Sequence, residues 1–193
     1  MEKSIFNKIN NMKTYTIHKG CHYSNFIPRI QLLSQVNYLS QSGCIVFDES
    51  CKYEINDDSC VNNLFGFCFG FGVHKNSIRF GWTYNAPMNQ IYIWKYFYIN
   101  GELEKEKIFA CEIGEPHFYE ILVDKANNFP NKYFVTLKID NKKVFPNVGT
   151  YESMCIETNK CFITTLGPYF GGNTRAPHTM KIEYYGREMA KTH

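Results

Sequence analysis

The sequence lacks the features that would place the protein in a membrane or on a nucleic acid. No stretch of its 193 residues approaches the roughly 20 consecutive apolar residues of a membrane-spanning helix. Residues 1–6 have neither the apolar core nor the small-residue cleavage site of a secretion signal, so we expect a cytoplasmic protein without a membrane partner. Basic residues number 21 against 18 acidic ones, and no Lys/Arg run exceeds two. This weak charge pattern argues against a nucleic-acid partner.

The cysteines lack any metal-binding spacing. The chain has 8 of them, but no two form a Cys-x-x-Cys pair, and Cys51 and Cys60 have no histidine at zinc-finger spacing. Several lie in apolar, strand-like stretches, as Cys68 does between two phenylalanines. We therefore expect reduced and mostly buried thiols, no metal site and no cofactor.

Familiar catalytic motifs are missing as well. The chain contains no Gly-x-Ser-x-Gly and no His-Glu-x-x-His sequence. The carboxylates near residue 116 do not place a neighbouring pair on one strand face, because Glu112 and Glu115 differ in parity. Glycoside hydrolysis needs two carboxyl groups about 5–10 Å apart across the sugar. The sequence therefore argues against a standard glycosidase.

Aromatic side chains, in contrast, are abundant. The chain has 16 Phe and 14 Tyr, and aromatic residues make up 17% of it, a composition that favours strands. Strand-like segments recur from residue 13 onward and are separated by turn signals such as Asn100-Gly101. We predict an all-β fold with little helix, a two-sheet antiparallel β-sandwich of the jelly-roll type. Residues 13–193 would form this single domain, preceded by an arm or short helix at residues 1–12.

One strand has two sharply different faces. Residues 90–99 place isoleucines and Phe97 on one side, and Tyr92, Trp94, Tyr96 and Tyr98 on the other. Keeping the most apolar faces of segments 64–73, 77–84 and 90–99 together buries the alternating phenylalanines of residues 65–71. Arg79 must then share the opposite face with Trp94, and the loop between their strands would be about four residues long.

That opposite face has the composition of a binding pocket. It collects Gly66, Gly70, Gly72 and Gly81 beside the aromatic row. Strand glycines mark the close approach of either a ligand or a neighbouring protein group, and both readings stay open. Arg79 has two readings too, recognition of an anion or a structural cation–π pair with an aromatic ring. The predicted ligand-binding residues are Arg79, Trp94, Tyr92, Tyr96, His74 and Arg175.

Candidate catalytic residues come from loops. Residues 167–178 carry a double glycine, Tyr169 and His178, and His22 also stands in a loop-like segment. A lone histidine is more often structural than catalytic, but histidines that converge would be different. For catalysis, His22 or His178 would be the general base and Tyr169 the acid. Arg79 would neutralise a substrate carboxylate or phosphate.

The aromatic strand at 90–99 and the aromatic and glycine-containing strands before it resemble the concanavalin A-like jelly roll. This is the fold of many lectins, glucanases and polysaccharide lyases, and the resemblance implies a sandwich without fixing an activity. The acidic motif of the glucanases is absent, as are the arginine and Gln-x-His signatures of the alginate-lyase members. Segments 74–82 and 168–173 are similar to those of small uncharacterised bacterial or phage proteins.

Three functions fit these patterns. The first-ranked is a non-catalytic jelly-roll protein that binds a carbohydrate or another small polar ring ligand on the aromatic face. The first alternative is a polysaccharide lyase or hydrolase that uses His, Tyr and Arg side chains. The second alternative is a phage structural protein, or an inhibitor that sequesters a small molecule or a host protein. A homo-oligomer is compatible with each of them.

Overall fold

The architecture follows from strands that bury one face each. A computed structural model describes residues 12–33, 38–54, 60–125, 132–145, 150–152 and 161–191. A short 3-10 helix, Glu49–Cys51, is the one helical segment within these ranges. The strands of the described residues are β1 (Lys13–Ile17), β2 (Ile30–Leu33), β3 (Tyr38–Phe47), β4 (Asn62–Phe69), β5 (Ser77–Asn85), β6 (Gln90–Ile99), β7 (Glu102–Glu112), β8 (His117–Lys125), β9 (Lys132–Ile139), β10 (Lys142–Phe145), β11 (Thr150–Glu152), β12 (Cys161–Leu166) and β13 (Met180–Lys191).

The strands form two antiparallel sheets. The seven-stranded sheet has the order β1-β13-β3-β8-β9-β10, with β11 also paired to β9. The six-stranded sheet has the order β2-β12-β4-β5-β6-β7. This arrangement confirms the predicted two-sheet antiparallel β-sandwich with little helix. No helix of the described residues has the length and apolar character needed to cross a membrane.

Two expectations about the chain as a whole stay predictions. The amino-terminal arm at residues 1–12 lies outside the described residues except for Met12. The single-domain boundary at residue 13 and the cytoplasmic location are likewise not tested by the structure.

The core lies between the sheets and is built mainly by the alternation of side chains along each strand. On the six-stranded sheet the buried side chains come from β4, β5 and β6, and they face apolar residues of β3, β8, β9 and β13. The phenylalanine and isoleucine faces meet there because burial removes the most apolar area from water. The principal contributors are Phe65, Phe67, Phe69, Ile78, Phe80, Trp82, Ile91, Ile93, Phe97, Ile45, Phe47, Ile121, Val123, Val135, Leu137, Ile139, Met180, Ile182 and Tyr184.

We call the core side of the six-stranded sheet its inner face and the opposite side its outer face. Arg79 on β5 lies opposite Tyr96 on β6, and Gly81 lies opposite Trp94. The same register keeps Phe80 and Trp82 in the core, as the alternation predicts. The loop between the two strands is residues 86–89, four residues long.

Part of the predicted phenylalanine row leaves the core. Strand β4 ends at Phe69, and Phe71 is 82% exposed, with its ring 5.1 Å from that of Phe162. Gly70 and Gly72 have φ values of +75° and +95°, which belong to a turn and not to an extended strand. The prediction that Phe71 is a core residue and that these two glycines line the pocket is therefore wrong.

Candidate functional site

The centre of the outer face is a buried arginine. Arg79 is 2% exposed, and its Cζ lies 4.7 Å from the centroid of Tyr96 and 5.4 Å from that of Tyr98. Within the described residues no carboxylate pairs with it, and its Nε has no hydrogen-bond partner. Burial lowers the pKa of Arg79, while the neighbouring phenol groups oppose that shift, and a guanidinium remains charged in any case. The site thus holds a desolvated cation over two rings.

Two glycines allow the strands around Arg79 to approach closely. A Cβ added at Gly66 would lie 2.6 Å from the Cα of Arg79, which is its partner across β4 and β5. A Cβ at Gly81 would lie 3.1 Å from the carbonyl oxygen of Asn62 and 3.3 Å from the Cβ of Tyr96. Protein atoms already occupy the space that a side chain would need. At these two positions the glycines serve packing, and they do not form an open floor for a ligand.

The loop after β12 brings Tyr169 to this face. The backbone N–H of Asn63 donates to the carbonyl oxygen of Tyr169 at 2.9 Å, and the N–H of Tyr169 donates back at 3.1 Å. The next residue, Phe170, is buried in the core, so alternation directs Tyr169 outward. Tyr169 and Arg79 interact electrostatically there. The predicted acid and the predicted cation therefore lie in one site.

His22 joins Tyr169 through a second set of contacts. The N–H of Phe170 donates to the carbonyl oxygen of His22 at 2.8 Å. The His22 and Tyr169 rings stack with centroids 5.4 Å apart and planes 12° apart. The Nδ1 of His22 lies 2.8 Å from the carbonyl oxygen of Phe170, which can only accept a hydrogen bond. The neutral ring therefore carries its proton on Nδ1, which leaves Nε2 as the basic nitrogen.

The phenols of the site keep their protons at neutral pH. Burial, with a contribution from Tyr23, raises the pKa of Tyr169, and the Arg79 charge opposes the shift. Burial also raises the pKa of Tyr96, helped by its neighbour Tyr98. Both side chains can therefore donate a proton or a hydrogen bond to a bound anion.

Sequence reasoning missed Asn63. Its Oδ1 is buried and has no hydrogen-bond partner among the described residues. Asn63 lies opposite Gly81 on the outer face, although strict alternation along β4 would send it inward. A register shift between Asn63 and Gly66 reverses the parity. Nothing in the sequence pattern marks that irregularity, so no sequence signal for Asn63 was visible.

The aromatic row that was predicted to bind a ring ligand is engaged within the protein. The indole N–H of Trp94 donates to Thr83 Oγ1 at 2.9 Å. The Nζ of Lys107 lies 4.1 Å from the ring centroid of Tyr92. Together with the guanidinium over Tyr96, these contacts mean that the rings support neighbouring side chains.

The remaining predicted residues have other partners. His178 Nε2 lies 2.8 Å from the carbonyl oxygen of Ser50, in the 3-10 helix. Arg175 donates to the carbonyl oxygen of Gly20 at 3.2 Å, and His74 stacks on Tyr98 with centroids 4.9 Å apart. His74 thus lies beside the ring that also contacts Arg79, while the observed bonds of His178 and Arg175 are structural. No group of three or more His, Cys, Asp or Glu side chains within the described ranges could hold a metal ion.

Comparison with known proteins identifies solved structures that share the fold of this chain. No protein-family model matches the chain, and no curated protein does. A mutant of the alginate lyase Aly36B in complex with alginate trisaccharide superposes with a TM-score of 0.67 and 11% identity over 94% of this chain and 82% of that one. The alginate lyase vAL-1 from Chlorella virus gives 0.62 and 12% over 94% and 85%. The alginate lyase from Aplysia kurodai gives 0.59 and 12% over 93% and 83%.

At such low identity this likeness shows the fold alone, a jelly-roll sandwich of the concanavalin A-like type. The lectin and glucanase part of the resemblance is not supported. The first-ranked function, a non-catalytic binding protein, is contradicted because the matched structures are lyases, and the lyase alternative is better supported. The physical reason lies on the outer face, where the rings hold Arg79 and Lys107 in place of an open stacking surface.

Proposed function

We propose that this protein is a polysaccharide lyase that cleaves an acidic polysaccharide by β-elimination at a uronate residue. The observation that carries the proposal is the buried Arg79, which has no carboxylate partner within the described residues and lies beside the His22–Tyr169 pair. An unpaired buried charge costs several kcal/mol, and a substrate carboxylate would offset that cost. The lyases of the same fold support the assignment.

The reaction sets three chemical demands. A base removes the proton on the carbon next to the uronate carboxylate, and the electron pair of that C–H bond forms a carbon–carbon double bond. The glycosidic C–O bond on the adjacent carbon breaks, and its oxygen takes a proton from an acid. A fixed cation must stabilise the charge that builds up on the carboxylate as the first proton leaves.

The outer face offers one group for each demand. Arg79 would bind the carboxylate, with Asn63 placed to accept a hydrogen bond from a sugar hydroxyl through its unpartnered Oδ1. His22 would take the proton through its basic Nε2. Tyr169, whose pKa is raised by burial, would hold the proton that the leaving oxygen receives.

Turnover of defined polymers tests the proposal. The purified protein is incubated with alginate, with a glucuronan and with a neutral glucan, and the ultraviolet absorbance of the unsaturated product is followed. We expect product from at least one uronate polymer and none from the neutral glucan. Folded protein that forms no unsaturated product from any uronate polymer would overturn the proposal.

Variants tie any turnover to this site. Arg79→Met and His22→Gln should each abolish most of the product signal. The matched control is Lys181→Met, which removes an exposed cation from the seven-stranded sheet. Equal loss in the control and in the two site variants would place the chemistry elsewhere.

A further inference from the structure

Two irregular segments extend the outer face beyond the start of β4. Tyr169 forms an antiparallel bridge with Asn63 of β4, and Tyr23 forms a second antiparallel bridge with Tyr169. Asn63 itself lies opposite Gly81 of β5, the strand that carries Arg79. Residues that lie opposite one another in an antiparallel pair send their side chains to the same face. Moving away from β5, the outer face therefore presents Asn63, then Tyr169, then Tyr23.

The ring of Tyr23 is placed by a contact of its own. Its centroid lies 5.0 Å from that of Tyr169, with the ring planes 73° apart, so the two rings meet edge to face. The Tyr23 side chain is nevertheless 76% exposed, and its hydroxyl makes no hydrogen bond with any residue of the described ranges. The fold gains little from so exposed a ring, whereas a ligand that covered it would remove apolar surface from water.

The exposure of Tyr23 does not come from a loose backbone. On one side of it, the N–H of Ala176 donates to the carbonyl oxygen of Cys21 at 3.1 Å. On the other side, the N–H of Asn25 donates to the carbonyl oxygen of Thr16 at 3.2 Å, and Asn25 Oδ1 accepts from the N–H of Thr16 at 2.9 Å. The segment is thus fixed before any ligand arrives, so little conformational entropy is lost when the ring is covered.

The proposed elimination requires a second sugar at this place. Tyr169 gives its proton to the glycosidic oxygen, which departs on the anomeric carbon of the neighbouring sugar. With the uronate carboxylate on Arg79, that neighbour extends past Tyr169 in the direction of Tyr23. The faces of a pyranose ring present C–H groups that pack on an aromatic ring, while the hydroxyl groups at its edge stay in water.

We infer that Tyr23 is the stacking platform for the sugar that departs in the elimination. The acidic polysaccharide then runs from Arg79 across Tyr169 to Tyr23, which gives the bound chain a direction. This inference rests on the proposed function and extends it by one binding subsite. Tyr23 holds the departing sugar through its ring and takes no part in the proton transfers.

The test removes the whole ring in one variant and only its hydroxyl in another. Tyr23→Ala and Tyr23→Phe are compared with Ile27→Ala, which shortens a similarly exposed side chain, 83%, in the same loop. On alginate or glucuronan, whichever is turned over, KM of Tyr23→Ala should rise roughly three- to tenfold, as expected for the loss of one aromatic contact. Its kcat should stay within about twofold of wild type, and Tyr23→Phe and Ile27→Ala should keep the wild-type KM.

The outcomes keep the platform and the lyase proposal apart. An unchanged KM in Tyr23→Ala, or an equal rise in Ile27→Ala, would refute the platform and leave the lyase proposal standing. A fall in kcat at unchanged KM would also refute it, because Tyr23 would then position Tyr169 through their edge-to-face contact.

Calorimetric binding of the same two polymers decides the case in which wild type forms no product. The lyase proposal then fails. Weaker binding by Tyr23→Ala that is restored in Tyr23→Phe would still support the platform. Equal binding by wild type and Tyr23→Ala, or no binding by either, would refute it.

Discussion

Each face of the six-stranded sheet carries a buried cation, and the two cations differ in whether a carboxylate of the protein pairs with them. On the inner face, Lys95 is 8% exposed and its Nζ lies 2.9 Å from the carboxylate of Glu104. On the outer face, Arg79 is more deeply buried and has rings as neighbours but no carboxylate among the described residues. A buried charge that only stabilises a fold needs a partner from the chain itself. The contrast supports the proposal that Arg79 binds an anion that the chain itself does not supply.

Two consecutive asparagines repeat the contrast. Asn62 Nδ2 donates to Tyr53 at 2.8 Å, and its Oδ1 accepts from the N–H of Gly171 at 2.8 Å. Asn63, one residue further, keeps a buried Oδ1 with no partner in the described structure. Buried polar groups are nearly always satisfied, and the exceptions need a reason. Of these two neighbouring amides, the one on the inner face has its hydrogen bonds made within the protein, and the one on the outer face keeps an unpartnered acceptor.

The largest effect should separate the two cations. Arg79→Met should lower kcat/KM on the uronate polymer by about a thousandfold, a typical cost of removing charge stabilisation from a transition state. Its free energy of unfolding should stay unchanged or rise, because an unpaired buried charge is replaced by an apolar side chain. Lys95→Met should leave kcat/KM unchanged and lower the free energy of unfolding by about 1 kcal/mol, since the partly exposed Glu104 can rehydrate.

Steady-state kinetics and urea unfolding measure both quantities on the same preparations. The proposed difference between the two cations is contradicted if Arg79→Met lowers the free energy of unfolding as much as Lys95→Met does. Arg79 would then be a structural cation, and its cation–π contacts would be its whole purpose.

The next largest effect concerns the acid. Tyr169→Phe should lower kcat by about a hundredfold, within the range for loss of a general acid. On the alkaline side, wild-type activity should fall only at strongly alkaline pH, because burial raises the pKa of Tyr169 above the ordinary tyrosine value of about 10. Tyr84→Phe is the control, since its hydroxyl bonds to Asn89 in the exposed β5–β6 turn. An alkaline limb that persists in Tyr169→Phe would assign it to another group.

Substituting the two asparagines should have smaller effects, on stability for Asn62 and on substrate binding for Asn63. Asn62→Ala should lower the free energy of unfolding by about 2 kcal/mol, because two buried hydrogen bonds are lost. Asn63→Ala loses no side-chain hydrogen bond of the described structure, so its stability should stay within about 0.5 kcal/mol of wild type. Its KM should rise roughly three- to tenfold, as expected for one hydrogen bond to substrate. Thermal melts and polymer kinetics on the two variants decide the matter.

The smallest effect sharpens the description of the inner face. Burial raises the pKa of Tyr53 to about 12, and its hydroxyl accepts from Asn62. In the unfolded chain a tyrosine titrates near 10, so the folded state holds this proton more tightly. The resulting stabilisation is complete below about pH 10 and is lost as the pH rises through about 12. The free energy of unfolding should therefore fall over that window, and in Tyr53→Phe this part of the fall should be absent.

Local patterns made the frame of the outer face predictable. Strand β6 alternates between an apolar and an aromatic face from Gln90 to Ile99, with Lys95 interrupting the apolar face, and the turn residues Asn100 and Gly101 both adopt the positive φ of a tight hairpin. With one face so apolar, only one register keeps the core intact, and it fixes Arg79 beside Tyr96.

The positions of Asn63, His22 and Tyr169 could not be predicted from the sequence, because they depend on contacts between distant segments and on an irregular strand. The register shift near the start of β4 places Asn63 on the outer face, and no residue pattern in the sequence predicts that shift. His22 and Tyr169 meet through backbone bonds between irregular segments, which have no periodicity to read. The first-ranked function failed for a related reason: alternation predicts which rings share a face, but not that Arg79 and Lys107 cover them.

The joining of distant segments at His22 also has a consequence for the order of folding. The hydrogen bond from its ring to Phe170 links residues 148 positions apart, and β1 completes its sheet by pairing with β13. Contacts between residues so far apart in the sequence form slowly, because the entropy of closing a long loop is lost before the contact contributes any stabilising free energy. The local meander β4–β7 can form early on a nascent chain, whereas the contact between His22 and Tyr169 cannot exist before residue 170 has been synthesised. Activity of the proposed site should therefore be the last property to return on refolding, after the sheets have already regained their circular dichroism.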